Sequence, residues 1–203
     1  MQIKKGAMFG LDARIALAIF GALSVISGAA LYSAIKEAKS TAFMVEMQEV
    51  AKAYEQYYLD TRSHIASVDN TSNPGRYLKE SANLVSDPTI KGWSGPYLPY
   101  EADTYYLNHP KYTNLHIAIL SDNDATWGET TPWVNGYCTT GKSCALYVMV
   151  NGVTDETMLK SVDSKVDGSA DSTLGSFKYT QYTVPANSFS AMLRIMPADN
   201  PND

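Results

Sequence analysis

The sequence predicts an α+β protein in which one long N-terminal helix packs on a small antiparallel sheet of three to four strands. Three observations predict this class. Residues 15–35 carry no charged side chain, residues 31–60 contain neither Gly nor Pro, and short runs of strand-forming residues follow from about residue 104. A chain of 203 residues has room for one membrane-length helix and one soluble domain.

Composition and charge exclude some function classes. The chain is 45% apolar and 18% charged, which is typical of a globular protein and not of a disordered one. Its formal net charge is −5, and its densest basic cluster is the pair Lys4-Lys5. A protein that binds nucleic acid needs a basic surface, so we expect no nucleic-acid partner.

The charge-free run of residues 15–35 has the length of a membrane span. A bilayer core of roughly 30 Å needs about 20 helical residues. Lys4 and Lys5 precede the run and favour a cytoplasmic N-terminus with the soluble domain exported. A plain single-span anchor and a signal peptide cut near residues 27–29 are the two alternatives. Because the helical pattern continues through that site, the sequence argues against a signal peptide.

The following residues continue the helix as an amphipathic segment. Apolar side chains recur at spacings of three, four and seven along residues 36–60 and the positions just before them, with charged residues between them. One helix is therefore predicted from about residue 10 to about residue 60. Its apolar positions are Ile35, Ala38, Ala42, Val45, Ala53 and Tyr57 on one row, and Phe43, Val50 and Tyr54 on another.

Residues 4–21 read KKGAMFGLDARIALAIFG and resemble the N-terminus of type IV pilins and type II secretion pseudopilins. That family has a short basic leader, a small residue at the cleavage point, an acid at the fifth mature position and a long apolar helix. The resemblance implies that residues 1–7 are a leader, that a prepilin peptidase cuts between Ala7 and Met8, and that the new amine of Met8 is methylated. Asp12 then falls on the acidic position.

Several positions depart from the family pattern. Ala7 replaces the usual Gly, and Asp12 replaces the usual Glu. Cleavage after Gly6 is the alternative, and it would make Asp12 the sixth residue. Arg14 is a positive charge near the start of the apolar run. The family's kink-forming proline is missing, and Gly28-Ala29 occupies its neighbourhood.

The resemblance also implies a role for the two charged residues. In the family, the acid of an incoming subunit is thought to meet the free amine of a neighbour, and a carboxylate among apolar helices is costly unless it is paired. Asp12 is the predicted assembly contact, and Arg14 is a second partner for it between subunits, because residues two apart on a helix do not face each other. The alternative is an interfacial Asp stabilised by the helix dipole.

The remaining chain is predicted to form the soluble head, residues 61–203. Its strand-like runs are residues 104–107, 115–120, 145–150 and 177–184, with a possible edge strand at 192–196. A short helix is predicted at 77–86, and Met158, Leu159 and Val162 give a second short helix one apolar face. Residues 92–100, GWSGPYLPY, resemble a loop of major pseudopilins. Residues 166–168 resemble the Val-Asp-Gly loop that leads into a strand in pilins.

Cys138 and Cys144 are separated by five residues that include a glycine. This spacing allows a disulfide, and a disulfide would place the head in an oxidising compartment. Two free thiols are the alternative. A zinc pair does not fit, because the spacing is wrong and no second ligand pair follows.

The chemistry-bearing residues do not form an enzyme motif. Asp163, Asp167 and Asp171 surround Gly168 and provide oxygen ligands of the kind calcium prefers, although the loop does not match an EF-hand. Solvated loop acids are the default, so no cofactor is expected and calcium is the alternative. His64, His109 and His116 lie outside any nucleophile motif, and the chain has no Gly-x-Ser-x-Gly elbow. We expect no enzymatic activity.

The functional prediction is a structural subunit of a type IV pilus-like filament. Residues 8–35 would span the inner membrane and then form the filament core, and residues 36–60 would continue the helix. The implied partners are copies of the chain or other pilins, prepilin peptidase, the inner-membrane assembly machinery and membrane lipid. The head would be periplasmic before assembly and would be part of an extracellular or periplasmic filament afterwards. The alternatives are a type II secretion pseudopilin and a membrane-tethered periplasmic binding module that does not polymerise.

Overall fold

The computed structural model describes residues 8–203, apart from the side chains of Met8, Phe9 and Leu11. The protein is α+β: a long N-terminal helix, α1 (Met8–Thr61), is followed by a six-stranded antiparallel sheet. The chain divides into two compact units, one ending at Lys39 and one spanning Ser40–Asp203. The second unit contains the end of α1 and the whole sheet.

Within the second unit, α1 buries one stripe of side chains. The buried positions follow the helical repeat, because residues three and four apart share a face. The predicted row containing Phe43, Val50 and Tyr54 is confirmed. Of the row through Val45, Ala53 and Tyr57 are buried as predicted, whereas Val45 is 42% exposed and Met47, which neither row contained, is fully buried. The helix stripe in the core consists of Phe43, Met47, Val50, Ala53, Tyr54 and Tyr57.

The sheet has the strand order β1-β2-β3-β4-β6-β5, and every neighbouring pair is antiparallel. Strands β3 and β4 form the longest continuous register, from Asn114 opposite Asn151 to Ser121 opposite Cys144. The strands are β1 (Glu101–Asp103), β2 (Tyr106–Asn108), β3 (Asn114–Ser121), β4 (Cys144–Val153), β5 (Phe177–Tyr182) and β6 (Ser188–Ala198).

Both faces of the sheet are covered. Alternate residues of β4, Leu146, Val148 and Val150, share a core with the α1 stripe. The residues between them point to a second core that contains Trp127, from the segment between β3 and β4. All ten residues of β4 are therefore buried, which explains why its sequence is a continuous apolar run and does not alternate.

The sheet has more strands than the three or four predicted. The predicted strand at 104–107 is in fact a hairpin, because Thr104 adopts a positive φ of 50° and separates β1 from β2. The predicted edge strand at 192–196 is the middle of β6, which lies between β4 and β5 and not at an edge. In place of the short helix predicted at 77–86 there is only one 3₁₀ turn, Ser81–Leu84.

A second helix, α2 (Glu156–Val166), follows β4. It begins at Asp155, whose carboxylate accepts a hydrogen bond from the Met158 backbone N–H at 3.0 Å, as expected of an N-cap. The apolar face predicted for this helix is confirmed, because Met158, Leu159 and Val162 are buried.

Candidate functional site

The first unit has no core of its own among the described residues. Every side chain of α1 from residue 12 to residue 39 is exposed, including large apolar ones such as Leu17, Phe20 and Val25 at 70%, 71% and 73%. The helix contains an 18-residue window with mean hydropathy 2.1, long and apolar enough to cross a membrane. A soluble protein rarely leaves such a surface bare, so this segment needs a partner or a membrane.

No packing contact within the described chain requires the glycines of this segment. A Cβ added at Gly21 or Gly28 would meet no atom within 4 Å. Glycine inside a helix costs roughly 0.5–1 kcal/mol relative to alanine. Small residues on an apolar helix allow another helix to approach closely.

The two predicted assembly residues lie near the start of α1. Asp12 and Arg14 are both exposed, at the N-terminal end of the charge-free run. Ala7 and the rest of the predicted leader lie outside the described residues. Met8 is the first residue of the helix, and its side chain is not described.

An aromatic side chain and a cation lie at the other end of the charge-free run. The Lys36 ammonium lies 4.7 Å from the centroid of the Tyr32 ring, one helical turn earlier. Tyrosine and lysine are enriched where a helix leaves the hydrocarbon for the interface. The pair therefore fits one end of a membrane span.

In the second unit, residues 92–100 fasten the end of α1. The Tyr97 hydroxyl donates to Oδ2 of Asp60 at 3.0 Å, and Ser94 donates to the same oxygen. Gly92 has a φ of +93°, and a Cβ there would lie 2.3 Å from the carbonyl oxygen of Asp60. The predicted GWSGPYLPY loop is thus a strap that needs glycine at its closest approach to the helix.

The same loop ends at a partly buried polar cluster that the sequence analysis did not identify. Oε1 of Glu46 accepts from the Tyr100 hydroxyl at 2.6 Å and from Nε2 of His109 at 2.7 Å. Nδ1 of His109 accepts from the backbone N–H groups of Lys111 and Tyr112, both at 3.0 Å. Both ring nitrogens are therefore occupied, and the proton lies on Nε2. Hydrogen bonds from His109 and Tyr100 outweigh burial and lower the pKa of Glu46.

The other two histidines, His64 and His116, have different surroundings. Nδ1 of His64 is hydrogen-bonded to the Tyr54 hydroxyl at 2.8 Å. His116 is buried, and burial lowers its pKa to about 4, so the ring is neutral. Neither histidine is hydrogen-bonded to a serine, threonine or cysteine among the described residues.

The predicted disulfide between Cys138 and Cys144 is present, with a Cα–Cα distance of 5.7 Å. The loop that it closes is bound to the segment after β6. The Asn200 side chain donates to the carbonyls of Thr139 and Lys142 at 2.9 and 3.0 Å. Asn202 donates to the carbonyl of Cys138 at 2.7 Å. These hydrogen bonds therefore tie residues 199–203 to the loop that the disulfide closes.

The three loop acids have separate roles. Asp167 accepts from the backbone N–H groups of Ser176 and Phe177 at 2.8 and 2.7 Å, which fixes the start of β5. Asp171 accepts from Thr173 in a local turn. Asp163 is fully buried, and neither of its carboxylate oxygens has a hydrogen-bond partner in the described chain. Burial, with the charges of Asp167 and Asp171, raises the pKa of Asp163 to about 7.

No metal-ligating group of three or more His, Cys, Asp or Glu residues occurs within residues 8–203 as described. Calcium binding at Asp163, Asp167 and Asp171 stays a prediction. Comparison with protein-family models, with curated proteins and with solved structures finds no match to this chain.

Proposed function

We propose that the protein is a structural subunit of a type IV pilus-like filament, held first in a membrane and then in the filament core by helix α1. One observation carries the proposal. Residues 12–39 form a helix that is exposed throughout, and its apolar part contains two glycines that contact nothing in the described chain. Small residues on a membrane helix allow other helices to approach closely, so the two glycines favour a helix that packs against its neighbours over a lone anchor.

In this proposal the apolar surface of residues 15–35 would meet two environments in turn. In a bilayer, residues 15–35 satisfy their own backbone hydrogen bonds and contact lipid. In a filament, the same side chains would contact the helices of neighbouring subunits. Asp12 would be paired in this second state with the free amine of a neighbour's Met8, because an unpaired carboxylate among apolar helices is costly.

Maturation and location follow from the resemblance to pilins. A prepilin peptidase would cut between Ala7 and Met8, the amine of Met8 would be methylated, and an inner-membrane machinery would extract the subunit. The head would lie on the periplasmic side and then coat the filament without enzymatic activity. The disulfide supports an oxidising compartment for the head.

The test is the N-terminal mass of the mature chain, purified from membranes of cells that express it with an active prepilin peptidase. A chain that begins at Met8, with the added mass of one methyl group, is expected. A chain that begins near Ala29, which would be a secreted domain, contradicts the proposal. An intact Met1 in the presence of the peptidase would mean a plain anchor and also contradicts it.

Substitution of Asp12 by Ala separates a filament subunit from a tether. We expect normal membrane insertion but few filaments by negative-stain electron microscopy of sheared fractions. Asp87→Ala is the matched control, because Asp87 is an exposed acid in the head. Normal filament yield with Asp12→Ala would show that Asp12 is not needed for assembly. If wild-type chains form no filament when assembly machinery is supplied, the tethered module is favoured.

A pseudopilin of a type II secretion system is the second interpretation within the same class. The strap of residues 92–100 favours it, because its sequence resembles a loop of major pseudopilins and it fastens the end of α1. Secretion of a reporter exoprotein in a strain that lacks its major pseudopilin distinguishes the two. Restored secretion supports the pseudopilin, and restored surface fibres support the pilus subunit.

A further inference from the structure

A cavity of about 240 Å³ opens in the second unit, away from the membrane segment. It lies between α1 at Tyr54, the paired residues Ile119 of β3 and Leu146 of β4, and residues 198–201 at the end of β6 and beyond it. Its floor is apolar, from Ile119, Leu146 and the ring of Tyr54, and its rim carries Lys79 and His64. Pockets that bind small molecules commonly combine an apolar lining with a few polar groups.

Lys79 is the unusual residue of this cavity. The whole residue is 8% exposed, and its ammonium donates to one neutral group, the Ser67 hydroxyl, at 3.2 Å. No carboxylate lies within ion-pair distance of this ammonium among residues 8–203. Burial lowers the pKa of Lys79, with no acidic neighbour to oppose it. A buried ammonium with only one hydrogen-bond acceptor retains two donors and an uncompensated charge.

The other charged groups at the rim do not compensate it. Asp199 is exposed, and its charge favours a higher pKa of His64. Burial and the charge of Lys79 outweigh this effect and lower the pKa of His64. The His64 ring is oriented by the Tyr54 hydroxyl and is stacked on Tyr58 at 4.6 Å between centroids. The cavity thus presents a fixed imidazole and a buried cation above an apolar floor.

The wall formed by residues 198–201 is fixed by the disulfide-closed loop. Asn200 cannot turn its amide into the cavity without losing its bonds to the carbonyls of Thr139 and Lys142. Among the polar groups that line the cavity, the Lys79 ammonium is the buried one without a charged partner, and it lies beside the apolar side chains of Ile119 and Leu146. This combination selects an anion that also has an apolar part.

We propose that this cavity binds a small organic anion, with the charge held by the Lys79 ammonium and the apolar part packed on Ile119 and Leu146. The volume suits a molecule with a single ring or a short branched chain, which is smaller than a typical drug. A carboxylate or a phosphate monoester would supply the charge. The site does not depend on whether the protein forms filaments.

The test is a ¹⁹F NMR titration of the full chain in detergent micelles with 4-fluorobenzoate as the probe, and with empty micelles as the blank. Neutral 4-fluorobenzamide and cationic 4-fluorobenzylamine are the comparison probes. Saturable binding of the benzoate, about tenfold or more tighter than the amide, is expected from a hydrogen bond to a charged group. Equal binding of the three probes, or none, overturns the proposal.

Two variants locate the site. Lys79→Met is expected to weaken benzoate binding about tenfold or more, whereas Lys91→Met, which removes an exposed lysine, leaves it unchanged. If Lys79→Met does not fold, Ala198→Phe keeps the ammonium and fills the cavity, and it should also abolish binding. Undiminished binding by Ala198→Phe contradicts the assignment. Displacement of the probe by equimolar inorganic phosphate would assign the site to an inorganic anion and overturn the organic part of the proposal.

Discussion

Oε1 of Glu46 lies 2.7 Å from Nε2 of His109, although the two residues are 63 positions apart in the chain. The His109 side chain is 2% exposed and that of Glu46 is 30% exposed. Together with Tyr100, the pair joins the amphipathic part of α1 to the loop between β2 and β3. The contact fixes where the head's loops meet the helix.

Glu46→Gln should destabilise the head at pH 7 by about 1 kcal/mol, because the hydrogen bonds lose their charged acceptor. Folding lowers the pKa of Glu46. The stabilisation is therefore present above the unfolded pKa of the carboxyl and is lost as the pH falls through the folded value. Urea unfolding of the full chain in micelles from about pH 2.5 to 7 measures it. Exposed Glu49→Gln is the control, and equal acid sensitivity of wild type and Glu46→Gln would contradict the assignment.

Asp163→Asn should stabilise the head at and above pH 7, by on the order of 1 kcal/mol, because it removes a buried carboxylate without partners. Folding raises the pKa of Asp163 from 3.8 to about 7. The wild-type contribution is therefore greatest below about pH 4 and is lost as the pH rises through 7. The free energy of unfolding, measured between pH 5 and 9, should change less with pH for the variant than for the wild type. Asp87→Asn, in an exposed turn, should leave the slope unchanged, and an unchanged slope in Asp163→Asn would show that this carboxyl ionises freely.

Gly92→Ala should lower the melting temperature strongly, because alanine is strained at a φ of +93° and its Cβ would collide with the Asp60 carbonyl oxygen. Gly141→Ala is a matched control, since Gly141 also has a positive φ of +79° but open space around its Cβ. We expect a loss of roughly 1 kcal/mol from strain alone at Gly141 and a clearly larger loss at Gly92. Equal losses would mean that the strap does not press on the helix end.

Cys138→Ser with Cys144→Ser should destabilise the head by roughly 2 kcal/mol, toward the lower end for a disulfide that closes a short loop. Hydrogen exchange should rise in residues 199–203 as well as in the loop, because Asn200 and Asn202 bind the loop's carbonyls. Faster exchange in the loop alone would show that the tail is held by other contacts.

Gly21→Leu and Gly28→Leu should leave membrane insertion intact, because a larger side chain has open space at both positions. They should reduce filament yield, because a leucine would hold neighbouring helices apart. Gly21→Ala and Gly28→Ala are the size-matched controls and should assemble better than the leucine variants. Insertion is measured by alkaline extraction and assembly by electron microscopy. Full assembly of both leucine variants would mean that the glycines face away from neighbouring helices.

The long helix could be predicted because its signals are local. An uncharged run and the absence of Gly and Pro from residues 31–60 both act within a few turns. The side that faces the core does not follow from local pattern alone, since Val45 and Met47 are both apolar and apolar residues lie on more than one side of this helix. Packing against the sheet buries Met47 and leaves Val45 exposed.

The full length and central position of β6, and the polar cluster around Glu46, could not be predicted from local pattern. Strand β6 contains Ser188, Ser190 and Arg194, so its sequence does not read as an apolar run, and its burial comes from lying between two other strands. Ser190 is satisfied by Asn151 of β4 at 2.5 Å. The partners of Glu46 lie 54 and 63 positions away, and a single sequence gives no signal for such distant pairs.

The position of β6 has a consequence for export. If the chain crosses the membrane behind an N-terminal anchor, β5 emerges before β6, yet β5 pairs only with β6 among the named strands. Until residues 188–198 have crossed, β4 keeps one edge unpaired and β5 has no neighbouring strand. Such edges favour aggregation and proteolysis. In that case the head would complete its sheet late in translocation, and a stalled intermediate would be the form most exposed to proteases and chaperones on the far side of the membrane.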